Sequence, residues 1–294
     1  MTNPSCLKCE LERNACPKVR RYGHYYRTSD SSWVQRFRCS LCGETVSTST
    51  FKINRYQKKR RKNQMVGLLL AGGMSQNRIA RVLHLNRKTV VRTMQIEALS
   101  SYYKDRVNNF SRQKAIKVQF DDLETFEHTK CKPLSITLAV EEKTRRILGV
   151  EVSRMPAKGR LAQKSRELYG KRQDGRRLGR SRLFKKICPL VESQALFKSD
   201  SNPHYPKSVK KHFPLARHLT YEGKRGSLGG QGELKKVKFD PLFSLNHTCA
   251  MLRANINRLF RKTWCTTKRP DRLLAHLMIY AHYHNSCLIP QPTG

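Results

Sequence analysis

The chain has 294 residues, with 60 Lys and Arg against 21 Asp and Glu, a formal net charge of +39, and 38% hydrophobic residues. That length and apolar content suffice for two or three domains with at least one real core, and the charge far exceeds what solubility needs, so a polyanion partner is expected. No run of about twenty apolar residues occurs, so no membrane span is expected, and the start MTNPSCLKCE lacks the basic-then-apolar pattern of a signal peptide.

With a reducing compartment expected, the ten cysteines are read for metal before disulfides. Cys6-Leu-Lys-Cys9 and Cys39-Ser-Leu-Cys42 are two CxxC pairs, each able to form a knuckle with two thiolates. Together Cys6, Cys9, Cys39 and Cys42 make a closed tetrahedral site for a structural Zn²⁺. The gap between the pairs is long, so Cys16 or His24 stands as an alternative to one ligand. Between the pairs, Val34, Arg36, Phe37 and Arg38 read as a short strand. The aromatics Tyr22, Tyr25, Tyr26 and Trp33 are read as packing for a module with little other core.

Residues 55 to 62 hold six basic residues in eight, and Arg55, Lys58, Lys59 and Arg60 are expected along a phosphate backbone. Beyond them Met65, Leu68 and Leu69, then Ile79, Ala80, Val82 and Leu83, then Val90, Val91 and Met94 recur at helical spacing. Ser75 and Asn86 are the expected N-caps of the second and third helices. Helix, short turn and basic helix make a helix-turn-helix arrangement. Its second member presents Arg87, Lys88, Thr89 and Arg92, which suit phosphates and guanine edges of double-stranded DNA.

From Lys117 the period changes to two. Ile116, Val118 and Phe120 alternate with Lys117, Gln119 and Asp121, predicting a half-buried strand that ends in Asp121 and Asp122. Leu134, Ile136, Leu138 and Val140, then Ile147, Leu148, Val150 and Val152, predict two more strands. A further apolar run, Ala195 to Phe197, delivers Asp200 to a strand end. Strand, turn, strand, turn, strand with acids at strand ends is how a ribonuclease-H-like sheet begins, and two such acids suit a hard divalent ion. Residues 158 to 186 hold twelve basic residues and two acids and read as a flexible or helical basic segment on DNA. Residues 222 to 238 read as a second basic, glycine-rich loop. Two helices close the chain. One has a stripe from Leu245 to Phe260, with Asn246, Arg253 and Asn257 on a neighbouring face, and the other is capped by Asp271.

The modular order resembles bacterial insertion-sequence transposases of the DDE class: paired CxxC motifs, a helix-turn-helix, then a carboxylate domain with RLFRKTW before Tyr283-His284-Asn285. The resemblance implies a multidomain α+β and α/β chain: a zinc ribbon over 1–52, a helix-turn-helix domain with a basic linker over 53–110, and a ribonuclease-H-like mixed sheet with flanking helices over 111–294, carrying the basic insertion 158–186. In AspAspLeuGluThrPheGluHisThrLys it makes Asp121 the first aspartate, with Asp122 as alternative, and in SerAspSerAsn it makes Asp200 the second. The third position, commonly glutamate seven residues before Lys or Arg, falls on Asn246 before Arg253, and Glu124, Asp240 and His247 are alternative third groups. Implied with these are Mg²⁺ or Mn²⁺ at Asp121, Asp200 and Asn246, and binding of terminal inverted repeats and target DNA. Metal-dependent cleavage with 3′-end strand transfer, at least a dimer on DNA, and a bacterial cytoplasmic, nucleoid-associated location complete the expectation. The alternatives are a catalytically inactive DNA-binding regulator built on the same fold and a stand-alone nuclease.

Overall fold

Alternating β-branched, aromatic and basic residues form the first hairpin, β1 (Val19–Arg27) and β2 (Ser32–Cys39), paired antiparallel from Val19 opposite Cys39 to Arg27 opposite Ser32. The tip of this hairpin is fixed by Asp30, which accepts from Arg27 and from Ser32 Oγ at 2.8 Å. A short β3 (Thr45–Ser47) adds to β2, and α1 (Leu7–Arg13) begins at the first cysteine pair. The apolar core here is little more than Val34, Phe37 and Val46 around the cysteines. The computed structural model describes residues 6–14, 18–50, 52–222, 240–260 and 265–289, and divides the chain into two compact units, residues 1–65 and 66–294. Cys16, nearly all of the expected basic loop 222 to 238, and the end of RLFRKTW lie outside the described residues.

The helices that follow are α2 (Asn63–Ala71), α3 (Gln76–Val82) and α4 (Arg87–Phe110). Ser75 accepts from Arg78 N at 3.3 Å and Asn86 from Lys88 N at 2.8 Å, so both N-caps form as their side chains dictate. The expected self-contained domain over 53–110 is a different matter. Val66, Leu70, Ile79, Val90 and Met94 belong to the same buried cluster as Leu134, Ile136 and Leu138 of the sheet and Leu273 and Leu277 of the closing helix. Asn285 ties them further: it bonds the Ile147 N–H and C=O, both at 2.8 Å, and donates to Asp105 of α4 at 2.8 Å. The helices are therefore part of the larger body.

That body is a five-stranded mixed sheet of β4 (Ala115–Phe126), β5 (Pro133–Glu141), β6 (Ile147–Arg154), β7 (Val191–Asp200) and β8 (Arg217–Tyr221), ordered β6-β5-β4-β7-β8. The first three strands are antiparallel neighbours, and β7 and β8 run parallel to β4. One face carries the helical cluster together with α8 (Phe243–Asn255) and α9 (Pro270–Tyr283). The other packs Val118, Phe120 and Phe197 against α6 (Arg176–Ile187) and α7 (Tyr205–His212). With both faces covered, β5 is buried along nearly its whole length and shows no polar face.

Several sequence expectations are corrected by this packing. β4 does not stop at its acids but runs five residues past Asp121, to Phe126. Ile116 is 66% exposed while Gln119 is 1% exposed, because Gln119 donates to Pro241 O at 3.0 Å and accepts from Leu245 N at 2.9 Å, which hold the start of α8 against the sheet. The basic segment 158–186 is ordered: α5 (Leu161–Tyr169) precedes α6, whose Leu183, Phe184 and Ile187 are buried in the sheet. Two glycines permit this close approach. A Cβ on Gly179 would collide with Ser153 Oγ, and one on Gly149 would lie 2.8 Å from Leu183 Cδ1. The stripe from Leu245 to Phe260 breaks at Ile256, which is extended, before a 3-10 turn at Asn257–Leu259. Asp271 does not cap α9: Pro270 takes the first helical position, where its missing N–H costs nothing. Asp271 follows inside the first turn and accepts from Arg269 at 3.0 and 2.9 Å.

Candidate functional site

The four cysteines converge. Their sulfurs lie within 4.8 Å of one another, with Cys6 Sγ to Cys42 Sγ at 3.5 Å and Cys9 Sγ to Cys39 Sγ at 3.9 Å. Four sulfurs at about 2.3 Å from a central Zn²⁺ would be about 3.8 Å apart, so the spacing fits a tetrahedral metal. Burial and the neighbouring thiols push Cys9 up to about 12. The backbone N–H groups of Cys42 and Leu41 pull Cys39 down to about 7. Four sulfurs so close can all ionise only around a cation, and this buried cluster is able to hold a metal such as zinc. His24 is not needed as a ligand and packs edge-on against Trp33 at 4.9 Å.

The basic run after this cluster is not uniform. Arg55, Lys58 and Lys59 are exposed, Arg55 stacking on Tyr56 at 4.9 Å. Arg60, expected on a phosphate backbone, is instead 7% exposed and donates to the carbonyls of Asn54, at 2.9 Å from Nε, and Arg55. A guanidinium spent on buried carbonyls is structural, and the expectation for this residue is corrected. On α4, Arg87, Lys88 and Arg92 are exposed and Thr89 is half-buried.

The sheet register brings the two aspartates side by side. Gln119 of β4 is level with Lys198 of β7 in a parallel pair, so two residues further on Asp121 lies level with Asp200 on the same face. Tyr205 Oη donates to Asp121 Oδ1 at 2.9 Å, as does the Asp122 N–H at 2.7 Å. Burial raises Asp121 to about 6, and the Asp200 charge adds to it. Asp200 is also raised, by burial first and then by the charge of Asp122. Asp122 points to the opposite face, accepting from Thr137 Oγ1 at 2.5 Å and pairing with Arg180 at 3.5 Å. Asp122 therefore has its counter-charge, whereas no guanidinium or ammonium pairs with Asp121 or Asp200 among the described residues.

Helix α8 borders these acids. The Asp121 charge, after burial, helps push the Cys249 thiol up to about 12, while Arg253 acts the other way. Asn246, Cys249 and Arg253 share one face at i, i+3 and i+7. Asn246 itself is exposed and donates to Asp240 Oδ2 at 2.8 Å. Of the other third-group candidates, Glu124 pairs with Lys158 at 2.8 Å and His247 faces Arg145 at 3.1 Å. Among the described residues, the four cysteines alone form a cluster of three or more metal-ligand groups.

Tyr205, Cys249 and Gln119 were missed from the sequence. Tyr205 lies five residues past Asp200 at the first position of α7, and nothing in the periodicity marks a tyrosine there as the partner of an acid on another strand. No helix of the described residues is long and apolar enough to cross a membrane. Compared with known proteins, the sequence matches no family model, and no curated protein is similar to it.

Proposed function

We propose that the chain is a DNA transposase of the DDE class, cutting DNA and joining freed 3′ ends through a divalent-metal site at Asp121 and Asp200. The observation that carries this reading is the pair of aspartates on adjacent parallel strands, held close together without a cationic partner. Two carboxylates raised by burial and by negative neighbours suit a bound Mg²⁺ or Mn²⁺, whose charge would restore both to the ionised form. The strand order, with three antiparallel strands followed by two parallel ones, supports a ribonuclease-H-like sheet, and the four-cysteine hairpin supports a zinc ribbon. The exposed cations of α4 and the overall charge supply double-stranded DNA as partner. Handling two DNA ends at once calls for at least a dimer on DNA.

In this reading Asp121 is the first ligand, because Asp122 is committed to Thr137 and Arg180. Asn246 would contribute an uncharged amide oxygen after releasing Asp240, and Arg253 would hold a DNA phosphate two helical turns along. The exposure of Asn246 and its bond to Asp240 favour a second reading, a DNA-binding regulator on a fold that no longer cuts.

The test is an in vitro reaction with Mg²⁺ or Mn²⁺ on DNA carrying the sequences that flank the coding region. Cleavage at defined ends followed by joining, lost in Asp121→Ala and Asp200→Ala, supports the transposase. Cleavage without joining would make it a nuclease. Tight binding to those ends with no cleavage by the unaltered protein in either metal would leave the regulator.

A further inference from the structure

Away from the aspartates, a cleft of about 420 Å³ lies between the start of α4, the 3-10 turn at 257–259 and the first turn of α9. Arg87, Arg258, Lys268, Arg269 and Arg272 line it, and no carboxylate does. These five cations come from three stretches of sequence that meet through tertiary packing. Arg87 opens the 24-residue helix α4, where the free amide ends add positive potential.

Such a gathering of like charge is costly unless something answers it. Burial, and then the neighbouring Arg272, pull Arg258 below the ordinary arginine range. Asp271 is the acid at hand, but it is half exposed and both its oxygens already accept from Arg269. Its distance to Arg272 Nε is 3.7 Å, and Arg272 Nη1 is buried with no hydrogen-bond partner. The neutral lining, Ser75, Asn257 and Thr266 among it, offers hydrogen-bonding groups and no negative charge.

We propose that this cleft is a phosphate-binding site, filled by a phosphodiester of bound duplex DNA, and that Arg87 is a backbone anchor rather than a base reader. Planar guanidiniums in a dry recess suit a phosphate's oxygens, and the site would tie DNA held by α4 to the closing helix of the sheet body. This rests on the DNA-binding part of the reading above and is independent of whether the chain cuts.

The test follows binding rather than cleavage. Duplex affinity of the full chain is measured from 50 to 300 mM salt by fluorescence anisotropy, on an end sequence and on a random one, for the unaltered protein and for Arg87→Gln, Arg272→Gln and Lys268→Gln. Melting temperature is followed in parallel with added inorganic phosphate. Each loss of a phosphate contact should flatten the plot of log affinity against log salt by about 0.9 and weaken binding about fivefold at 0.15 M, equally on both duplexes. Lys268 is exposed, so its variant reports even if Arg272→Gln perturbs the fold. An unchanged slope, with phosphate raising the melting temperature of the unaltered protein and not of Arg272→Gln, would keep the site and assign it a free phosphate. No change in slope and no stabilisation by phosphate would overturn the site. A loss in Arg87→Gln confined to the end sequence would overturn the anchor role. A protein that cuts nothing yet keeps these slopes would lose the enzyme reading and keep the cleft.

Discussion

Two aspartates, one in each unit, meet opposite fates. Asp30, at the tip of the β1–β2 hairpin, takes two hydrogen bonds from Arg27 and one from Ser32, with Arg60 at 3.9 Å, and falls to about 2. Asp121, in the middle of β4, has a tyrosine, a backbone amide and two other acids for company, and rises to about 6. The first carboxylate is used to close a turn. The second is held in a place where its charge is disfavoured, and a fold tolerates such a group where a function or a missing cation requires it. The same residue type thus serves stability in one region and is set against it in the other.

The largest effect that would break this contrast concerns what holds the first unit together. With so small an apolar core, residues 1–65 should depend on the metal, a dependence of order 10 kcal/mol for structural zinc sites. Chelation, or Cys39→Ser, should release about one Zn²⁺ per chain and abolish amide-exchange protection in β1 and β2, while β4 and β5 stay protected. Protection of the hairpin in the metal-free protein would show that Asp30 and its neighbours suffice alone.

Next in size is Asp121→Asn. A carboxyl raised from about 4 to about 6 on folding contributes stability that is complete below about pH 4 and lost as pH rises through 6. The asparagine variant should therefore be more stable than the unaltered protein by about 2 kcal/mol at pH 8 in metal-free buffer, and the difference should vanish at pH 4. Urea melts at the two pH values decide it. A variant that is destabilised at pH 8 would mean that the charge is already compensated.

Asp30→Asn should act in the reverse direction and less. A lowered folded-state value gives stability that is present above about pH 4 and lost as pH falls towards 2. Since a quarter of its side-chain surface still meets water, the coupling to Arg27 in a double-mutant cycle at pH 7 should be about 1 kcal/mol. A coupling near zero would reduce the pair to a surface contact.

The legible part of the site was what is written in local pattern. Two CxxC pairs name a metal cluster because the spacing of each pair is a property of the chain itself, and Ser75 and Asn86 name helix starts because a cap bonds an amide two or three residues away. Asp200 at the end of β7 follows from a local apolar run. Gln119 was read as facing water because it occupies a polar place in an alternating strand, but α8, more than a hundred residues later, turns that place into an interior one. Arg60 looked like its exposed neighbours and is buried by carbonyls that only the folded chain presents to it. The basic segment 158–186 looked unstructured by composition, yet Leu183, Phe184 and Ile187 lie at the spacing that lets α6 pack, and Gly179 makes room for it.

The sequence by itself determined the cysteine cluster, the helix starts, most of the strands and the charge that calls for a polyanion, since each depends on residues near one another in the chain or on composition alone. Tertiary structure alone decided that the helices after residue 65 belong to the sheet body, that Asp121 and Asp200 lie level with no cation between them, and that Arg87, Arg258 and Arg272 share one cleft. These are matters of register and packing between distant segments, and the free energy that sets them comes from burying surfaces that no local pattern brings together.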